Sequence, residues 1–527
     1  MHVPLTPLRC FFRAIELYPG KIGVVSGDLR YTYAEFGERC RRMAAGMLAA
    51  GVEAGDRIAF LSFNTNVLLE GYFAVPLAGG IVMPLNVRLH PTELHGILEH
   101  AQPRLLFYEQ AFAAVIQQLQ TAAPACRFLS IEECEESPNL ASLMAVLPMP
   151  LPDLMSIDEK EIAELFYTSG STGRPKGVML SHRSLYLHAL SLAGCLDHSD
   201  RQVVLHTIPL FHANGWGFPQ FATMCGMKQV MVRRFEPGNV FRLIEQEGAT
   251  FMILVPTMAA ALIGCPDRTQ FNLSSLKYVI VGGAACSPQL IAQLEAVFPG
   301  SSVFAGYGLT ETSPVVSTAR GKSTLTLEQE ADHQRFASSA GWPCLGTETR
   351  VVDGKGVDVP RDGATVGEVV VRGDNVMDGY YREPAMTRDA IVDGWLHTGD
   401  MAVWNTESCL QIVDRRKDII ISGGENIASI EIEHAIMAHP DVAECAVVAA
   451  PHPRWGEVPV AIVVPKSSAT VTAEHLLEFA AKRIAKFKLP HQIFFQQEPL
   501  PKGGTGKILK YALRERFWSD KEKRVQG

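Results

Sequence analysis

The sequence predicts an α/β protein: a large N-terminal domain of parallel-type αβ layers with a small β-barrel-like subdomain, followed by a small α+β C-terminal domain. Three observations lead there. The chain has 527 residues, beyond the size at which one hydrophobic core keeps growing, so at least two domains are expected. Apolar runs rich in β-branched residues alternate with helical patterns over the first two thirds, the mark of a parallel sheet covered on both faces. After Gly341 short strands and turns dominate, and the charged stretch Asp414–Asp418 precedes a last segment of mixed signals.

Thr32 and Glu35 form a capping box that opens an amphipathic helix, which Gly51 ends. Arg57–Ser62 reads as a buried strand. Gly71–Leu85 is the most apolar stretch, but Pro76, Gly79, Gly80 and Pro84 interrupt it, so it reads as a buried helix and turn rather than a membrane span. A helix over Leu94–His100 and strands at Arg104–Tyr108, Val203–Leu205, Phe251–Val255 and Tyr278–Val281 follow. Thr349–Val352, Gly367–Arg372 and Cys409–Val413 are the strands of the antiparallel subdomain. Ile430–Ala438 and Ala473–Ile484 are helical, with strands Cys445–Ala449 and Val460–Val464 between them. The domains are therefore set at 1–416 and 417–527.

Composition narrows the function. Hydrophobic residues make up 47% and charged residues 20%, and the net charge is −8. With no Lys/Arg run of five, nucleic-acid and anionic-membrane partners are not expected. Eleven cysteines, none in a Cys-x-x-Cys pair, suit reduced thiols better than a disulfide frame or a zinc site. No apolar leader opens the chain, so a cytoplasmic location is expected.

The strongest motif is Tyr167-Thr-Ser-Gly-Ser-Thr-Gly-Arg-Pro-Lys-Gly-Val178. Hydroxyls, glycine N–H groups and one lysine are the donors that phosphate oxygens need. A flexible linker would not need Pro175-Lys176-Gly177 to run into an apolar strand. Nor is this the P-loop of NTPases, because Lys176 is followed by Gly177 rather than Ser or Thr. Gly306-Tyr-Gly-Leu-Thr-Glu311 begins like a dinucleotide fingerprint, but Glu311 replaces its last glycine.

The chain resembles the adenylate-forming superfamily of acyl-CoA synthetases, peptide-synthetase adenylation domains and firefly-type luciferases. Five stretches carry the resemblance, in the family's order: Thr168–Gly177, Gly306–Glu311, Gly394–Asp400, Asp414–Asp418 with Ser422–Ile427, and Pro501–Lys507. The resemblance implies a nucleotide site made of Thr168, Ser169, Gly170, Ser171, Thr172, Gly173, Lys176, Gly282, Gly283, Ala284, Gly306, Tyr307, Gly308, Asp400 and Arg415. Tyr307 would stack on adenine. Asp400 and Arg415 would hold the ribose. Thr310 would sit near the α-phosphate. Glu311, with Thr168, would hold Mg²⁺, which favours one or two carboxylates plus phosphates. His212, in Phe211-His-Ala-Asn-Gly-Trp216, would position the acid's carboxylate or gate the thiol. Lys507 would bridge the carboxylate and the α-phosphate as charge builds in the transition state.

The implied activity is ATP-dependent conversion of a carboxylic acid to an acyl-adenylate, then to a coenzyme A thioester. Between the two steps the C-terminal domain would rotate about Lys417, exchanging Lys507 for the Gly423-Gly424 face. Phe211-His-Ala-Asn214 lacks the acid that amino-acid adenylation domains place there, which favours a free-standing ligase. A carrier protein's phosphopantetheine is the alternative thiol acceptor. Trp216, Gly217 and Phe218 suggest an apolar pocket for a short- to medium-chain fatty acid, with an aryl acid as the alternative.

Overall fold

The computed structural model describes residues 2–133, 138–169, 175–327, 329–423, 425–466, 471–503 and 507–518. Their elements build four sheets.

The first sheet has nine strands, in the order Trp342–Pro343, Val315–Thr318, Ser302–Gly308, Tyr278–Gly282, Phe251–Leu254, Val203–His206, Lys228–Met231, Ile22–Ser26 and Leu29–Thr32. Its interior pairs are parallel, as the β-branched runs predict, while both edges turn antiparallel. The second sheet has seven strands: Gly379–Tyr380, Pro175–Ser181, Ile162–Ser169, Ile81–Pro84, Arg57–Leu61, Leu105–Tyr108 and Arg127–Ser130. Here too the core is parallel, and the hairpin of Ile162–Ser169 with Pro175–Ser181 is antiparallel.

Helices cover these sheets for identifiable reasons. Thr32 Oγ1 accepts from the Glu35 N–H at 3.2 Å, and the Glu35 carboxylate accepts from the Thr32 N–H at 2.7 Å. This capping box opens the helix Tyr33–Ala49, and Gly51 follows it at φ +83°. The apolar stretch from Gly71 resolves into the fully buried helix Asn66–Leu77, a turn, and the strand Ile81–Pro84. A Cβ on Gly71 would lie 2.5 Å from Phe60 Cζ, so its glycine lets the helix press onto the strand Arg57–Leu61.

The third sheet is antiparallel: Thr347–Val352, Gly367–Gly373, Trp395–Trp404 and Ile391–Val392, with Leu410–Arg415 added along Trp395–Trp404. The fourth contains Glu425–Ile427, Ile420–Ser422, Gly456–Pro465, Val442–His452 and Gln492–Phe495. The helices Ser429–Met437 and Ala473–Ala481 pack on it around a core of Ile432, Ile436, Val447, Val463 and Leu476. This is the small α+β unit expected at the C-terminal end.

Two of the glycines that the resemblance gives to the nucleotide, Gly306 and Gly308, lie in the strand Ser302–Gly308. A Cβ on Gly308 would meet Pro314 O at 1.9 Å, so close backbone packing against the neighbouring strand already requires glycine there.

Candidate active site

The site gathers where the first, second and third sheets meet the C-terminal unit. Asp400 lies opposite Arg415 in the antiparallel pairing of Trp395–Trp404 with Leu410–Arg415. Its Oδ1 is 3.1 Å from Arg415 Nε. Its Oδ2 accepts from the Tyr307 hydroxyl at 2.9 Å. Tyr307 arrives from the end of the first sheet, so this buried carboxylate links two sheets. Burial and the nearby Asp400 charge push the Tyr307 phenol well above its ordinary range, which keeps it a donor.

Glu311 follows Thr310 in a single 3₁₀ turn. Its Oε1 accepts from the Tyr380 hydroxyl at 2.9 Å, and its carbonyl accepts from the Met377 N–H at 2.8 Å. Lys176 Nζ lies 5.0 Å from the centre of the Tyr380 ring, a cation–π contact. Lys176 stands opposite Thr168 in the hairpin, and Tyr380 pairs with Val178. Tyr380 therefore joins Thr168, Lys176 and Glu311 into one neighbourhood. Ser169 ends the strand Ile162–Ser169, while Gly170, Ser171, Thr172 and Gly173 lie outside the described residues.

A third group surrounds the indole of Trp216. A Cβ on Gly282 would stand 2.3 Å from Trp216 Cη2, and one on Gly306 would stand 3.8 Å from Cζ3. Gly283, at φ +75°, lies beside the same ring and beside Lys507, whose Cε would be 3.9 Å from a Cβ there. Ala284 is exposed at the end of this turn. The lysine expected from the C-terminal loop thus reaches the strand-end glycines of the first sheet.

Electrostatics ties the groups together. Burial, reinforced by the Arg415 charge, pulls the Lys507 ammonium down to about 8, against the attraction of Asp400 and Glu311. Burial, with the Lys507 and Arg88 charges beside it, brings His212 down to about 3, so this imidazole is neutral at pH 7. A neutral imidazole can accept or donate a hydrogen bond without adding charge.

The junction is held separately. Asp414, 1% exposed, accepts from the N–H and hydroxyl of Ser429 at 2.6 and 2.5 Å at the start of the helix Ser429–Met437. Lys510 donates to Ser429 Oγ and pairs with Glu433 at 2.8 Å. Arg514 donates to the Lys417 carbonyl at 3.2 Å and pairs with Asp418 at 3.1 Å. Gly423, at φ +59°, packs on Trp455 inside the C-terminal unit, apart from the groups around Asp400 and Glu311. Gly424 lies outside the described residues.

Sequence reasoning missed Tyr380 and Arg88. Tyr380 lies 69 residues from Glu311, and only its pairing beside Val178 brings it there. A tyrosine after Gly379 carries no local signal of that role.

Among the described residues no three His, Cys, Asp or Glu side chains cluster as a metal site. A single oriented carboxylate beside hydroxyls does fit Mg²⁺ held mainly through phosphates. No described helix is long and apolar enough to cross a membrane.

The model of the AMP-binding enzyme family matches residues 11–381, and that of the AMP-binding enzyme C-terminal domain matches 431–507. The chain is 40% identical to a long-chain-fatty-acid–CoA ligase of Thermus thermophilus over 516 residues, covering 96% of this chain and 94% of the relative. It is 34% identical to a peroxisomal benzoate–CoA ligase of Arabidopsis thaliana over 544 residues, covering 98% and 93%. Among solved structures it resembles ATP-bound MatB from Rhodopseudomonas palustris, with a TM-score of 0.85 and 27% identity over 97% and 99% of the two chains. The chain belongs to the AMP-binding enzyme family, as an adenylate-forming acid–thiol ligase of the acyl-CoA synthetase type.

Proposed function

We propose that this ligase converts a short- to medium-chain fatty acid and ATP to an acyl-adenylate at the Asp400–Glu311–Lys507 site, and then to its coenzyme A thioester with release of AMP. The observation that carries this reading is the reach of Lys507. A cation from the C-terminal loop comes beside Gly283, within electrostatic range of Asp400 and Glu311.

Attack by the acid's carboxylate on the α-phosphate brings two anions together. Lys507 and Lys176 offset their repulsion, and the hydroxyls of Thr168 and Thr310 offer donors to the phosphates. Asp400 and Arg415 hold the ribose, and Tyr307 turns its ring to the base while its hydroxyl stays on Asp400. Glu311 with Thr168 would hold Mg²⁺, which when bound neutralises phosphate charge. Neutral His212 orients the acid's carboxylate.

The thiol step follows rotation of residues 417–527 against 1–416, with Lys417 as pivot and Gly423–Gly424 as the face brought in. The separate hydrogen-bond set around Asp414 and Arg514 supports a pivot there. A small apolar acid suits the Trp216 indole packed against Gly282 and Gly306, which shortens the space at the strand ends. An aryl acid is the second reading, favoured by the benzoate–CoA ligase relative. The cysteines of the described residues are all free, which supports a cytoplasmic setting.

The test is a panel of acids, from butyrate through octanoate to benzoate, with ATP, Mg²⁺ and coenzyme A. AMP, pyrophosphate and thioester are expected together. Release of ADP and inorganic phosphate, or no nucleotide turnover with any acid, would overturn the reading.

A further inference from the structure

A buried carboxyl lies behind the segment that carries Trp216. Glu164, on the strand Ile162–Ser169, is 1% exposed and stands four residues before Thr168. Its Oε2 accepts from Asn214 Nδ2 at 2.9 Å, and its Oε1 accepts from Gln220 Nε2 at 2.7 Å. Asn214 Oδ1 in turn accepts from the Gly217 N–H. The sequence signals Glu164 only as one acid inside the apolar run Ile162–Tyr167.

What this carboxyl holds is unusual backbone. Ala213, Asn214, Gly215, Trp216 and Gly217 have φ of 44°, 41°, 55°, 66° and 77°. Three of the five carry a Cβ, and left-handed conformations at such residues persist only where the surroundings over-determine them. The run carries the Trp216 indole that packs on Gly282, Gly283 and Gly306. Removing Glu164 would strand two buried amide N–H groups and release the residue at the centre of the turn. Burial alone drives the Glu164 carboxyl up to about 8. Burial first, and then the Glu164 charge, raise the phenol of Tyr72, which donates to the Leu210 carbonyl at 2.6 Å. Gln220 Oε1 is itself buried with no hydrogen-bond partner among the described residues.

We propose that Glu164 is a positioning residue for the acid substrate: through Asn214 it holds the left-handed turn that places Trp216, and so sets acid affinity without touching the acid. The proposal rests on the acid site assigned above. A carboxyl whose role is only to fill the interior would affect both substrates alike. One acting through this turn affects the acid alone.

The test is steady-state pyrophosphate release by the full chain, with butyrate, octanoate and benzoate as probes. Glu164→Ala is expected to raise the KM for the acid about tenfold, the equivalent of one net buried hydrogen bond, with the KM for ATP held within about twofold. Gln220→Glu, which sets two carboxyls face to face and removes a donor, is expected to show the same split. The exchanged pair Glu164→Gln with Gln220→Glu restores one acid and one amide, and is expected to recover most of the acid affinity. Should Glu164→Ala fail to fold, the Gln220→Glu and exchanged variants carry the test unchanged. Equal rises in both KM values, or no recovery in the exchanged pair, would overturn the proposal. A wild-type chain inactive with every acid would instead overturn the functional reading, and the proposal with it.

Discussion

The two sides of the site are built in opposite ways. On the large unit, Asp400, Tyr307 and Tyr380 sit on strands and Glu311 on a 3₁₀ turn, with Tyr307 bonded to Asp400 and Tyr380 to Glu311. On the small unit, Lys507 arrives on a loop, and burying its ammonium lowers its affinity for a proton. The anionic side is preorganised by these partners. Burying the cation carries an electrostatic cost. Under the proposed rotation one wall stays and one leaves, and the cost of docking Lys507 would ease its departure.

The sharpest way to break this contrast is to remove the delivered charge. Lys507→Ala is expected to slow adenylation by roughly 10²- to 10³-fold, the usual loss of one preorganised charge-stabilising group, while thioester formation from supplied acyl-adenylate stays within a few-fold of wild type. Pyrophosphate release and thioester yield, measured separately, check it. Equal loss in both steps would mean that the lysine does not leave.

Breaking the stationary wall has the next largest effect. Asp400→Ala leaves the Tyr307 hydroxyl and Arg415 without their shared acceptor. It is expected to raise the KM for ATP by roughly 10- to 100-fold in an ATP–pyrophosphate exchange assay.

The pH dependence separates the two walls further. Adenylation should fall as pH rises through about 8, where Lys507 loses its proton, and Lys507→Ala should lack that limb. The sign for docking is the reverse. Because the docked lysine binds a proton less tightly than the free side chain, docking is penalised below about 8, and the penalty fades as pH rises toward the ordinary lysine range. The docked arrangement therefore gains stability while it loses reactivity, which protease protection of the junction across pH would reveal.

Smaller effects test the pivot. Lys417→Pro fixes φ and restricts Arg416 before it, so it should slow thioester formation several-fold more than adenylation. An unchanged rate from supplied acyl-adenylate would move the pivot elsewhere. Arg514→Ala removes the clamp on the Lys417 carbonyl and Asp418, and should cost about 1 kcal/mol or less in denaturant unfolding of the C-terminal unit.

Much of this was legible in the sequence because its signals are local. The capping box at Thr32, the β-branched runs, the hydroxyl-rich turn after Tyr167 and the charged junction at Asp414 each lie within a few residues. What stayed hidden depends on distant partners. Tyr380 acquires its role by pairing beside Val178, and Glu164 by facing Asn214 and Gln220, contacts spanning 50 and 56 residues. Gly308 shows the converse: a motif glycine that the resemblance gives to the ligand also has a packing reason in the strand behind it.

The short strand Gly379–Tyr380 belongs by sequence to the antiparallel subdomain, yet it is hydrogen-bonded along the Pro175–Ser181 hairpin. Two stretches about two hundred residues apart are thereby clasped like the halves of a buckle. A chain nicked in the exposed turn 353–357 would still migrate as one particle in native buffer, because this clasp, the pairing of Thr347–Val352 with Gly367–Gly373 and the Tyr307–Asp400 bond all cross the nick, and its fragments would separate only in denaturant.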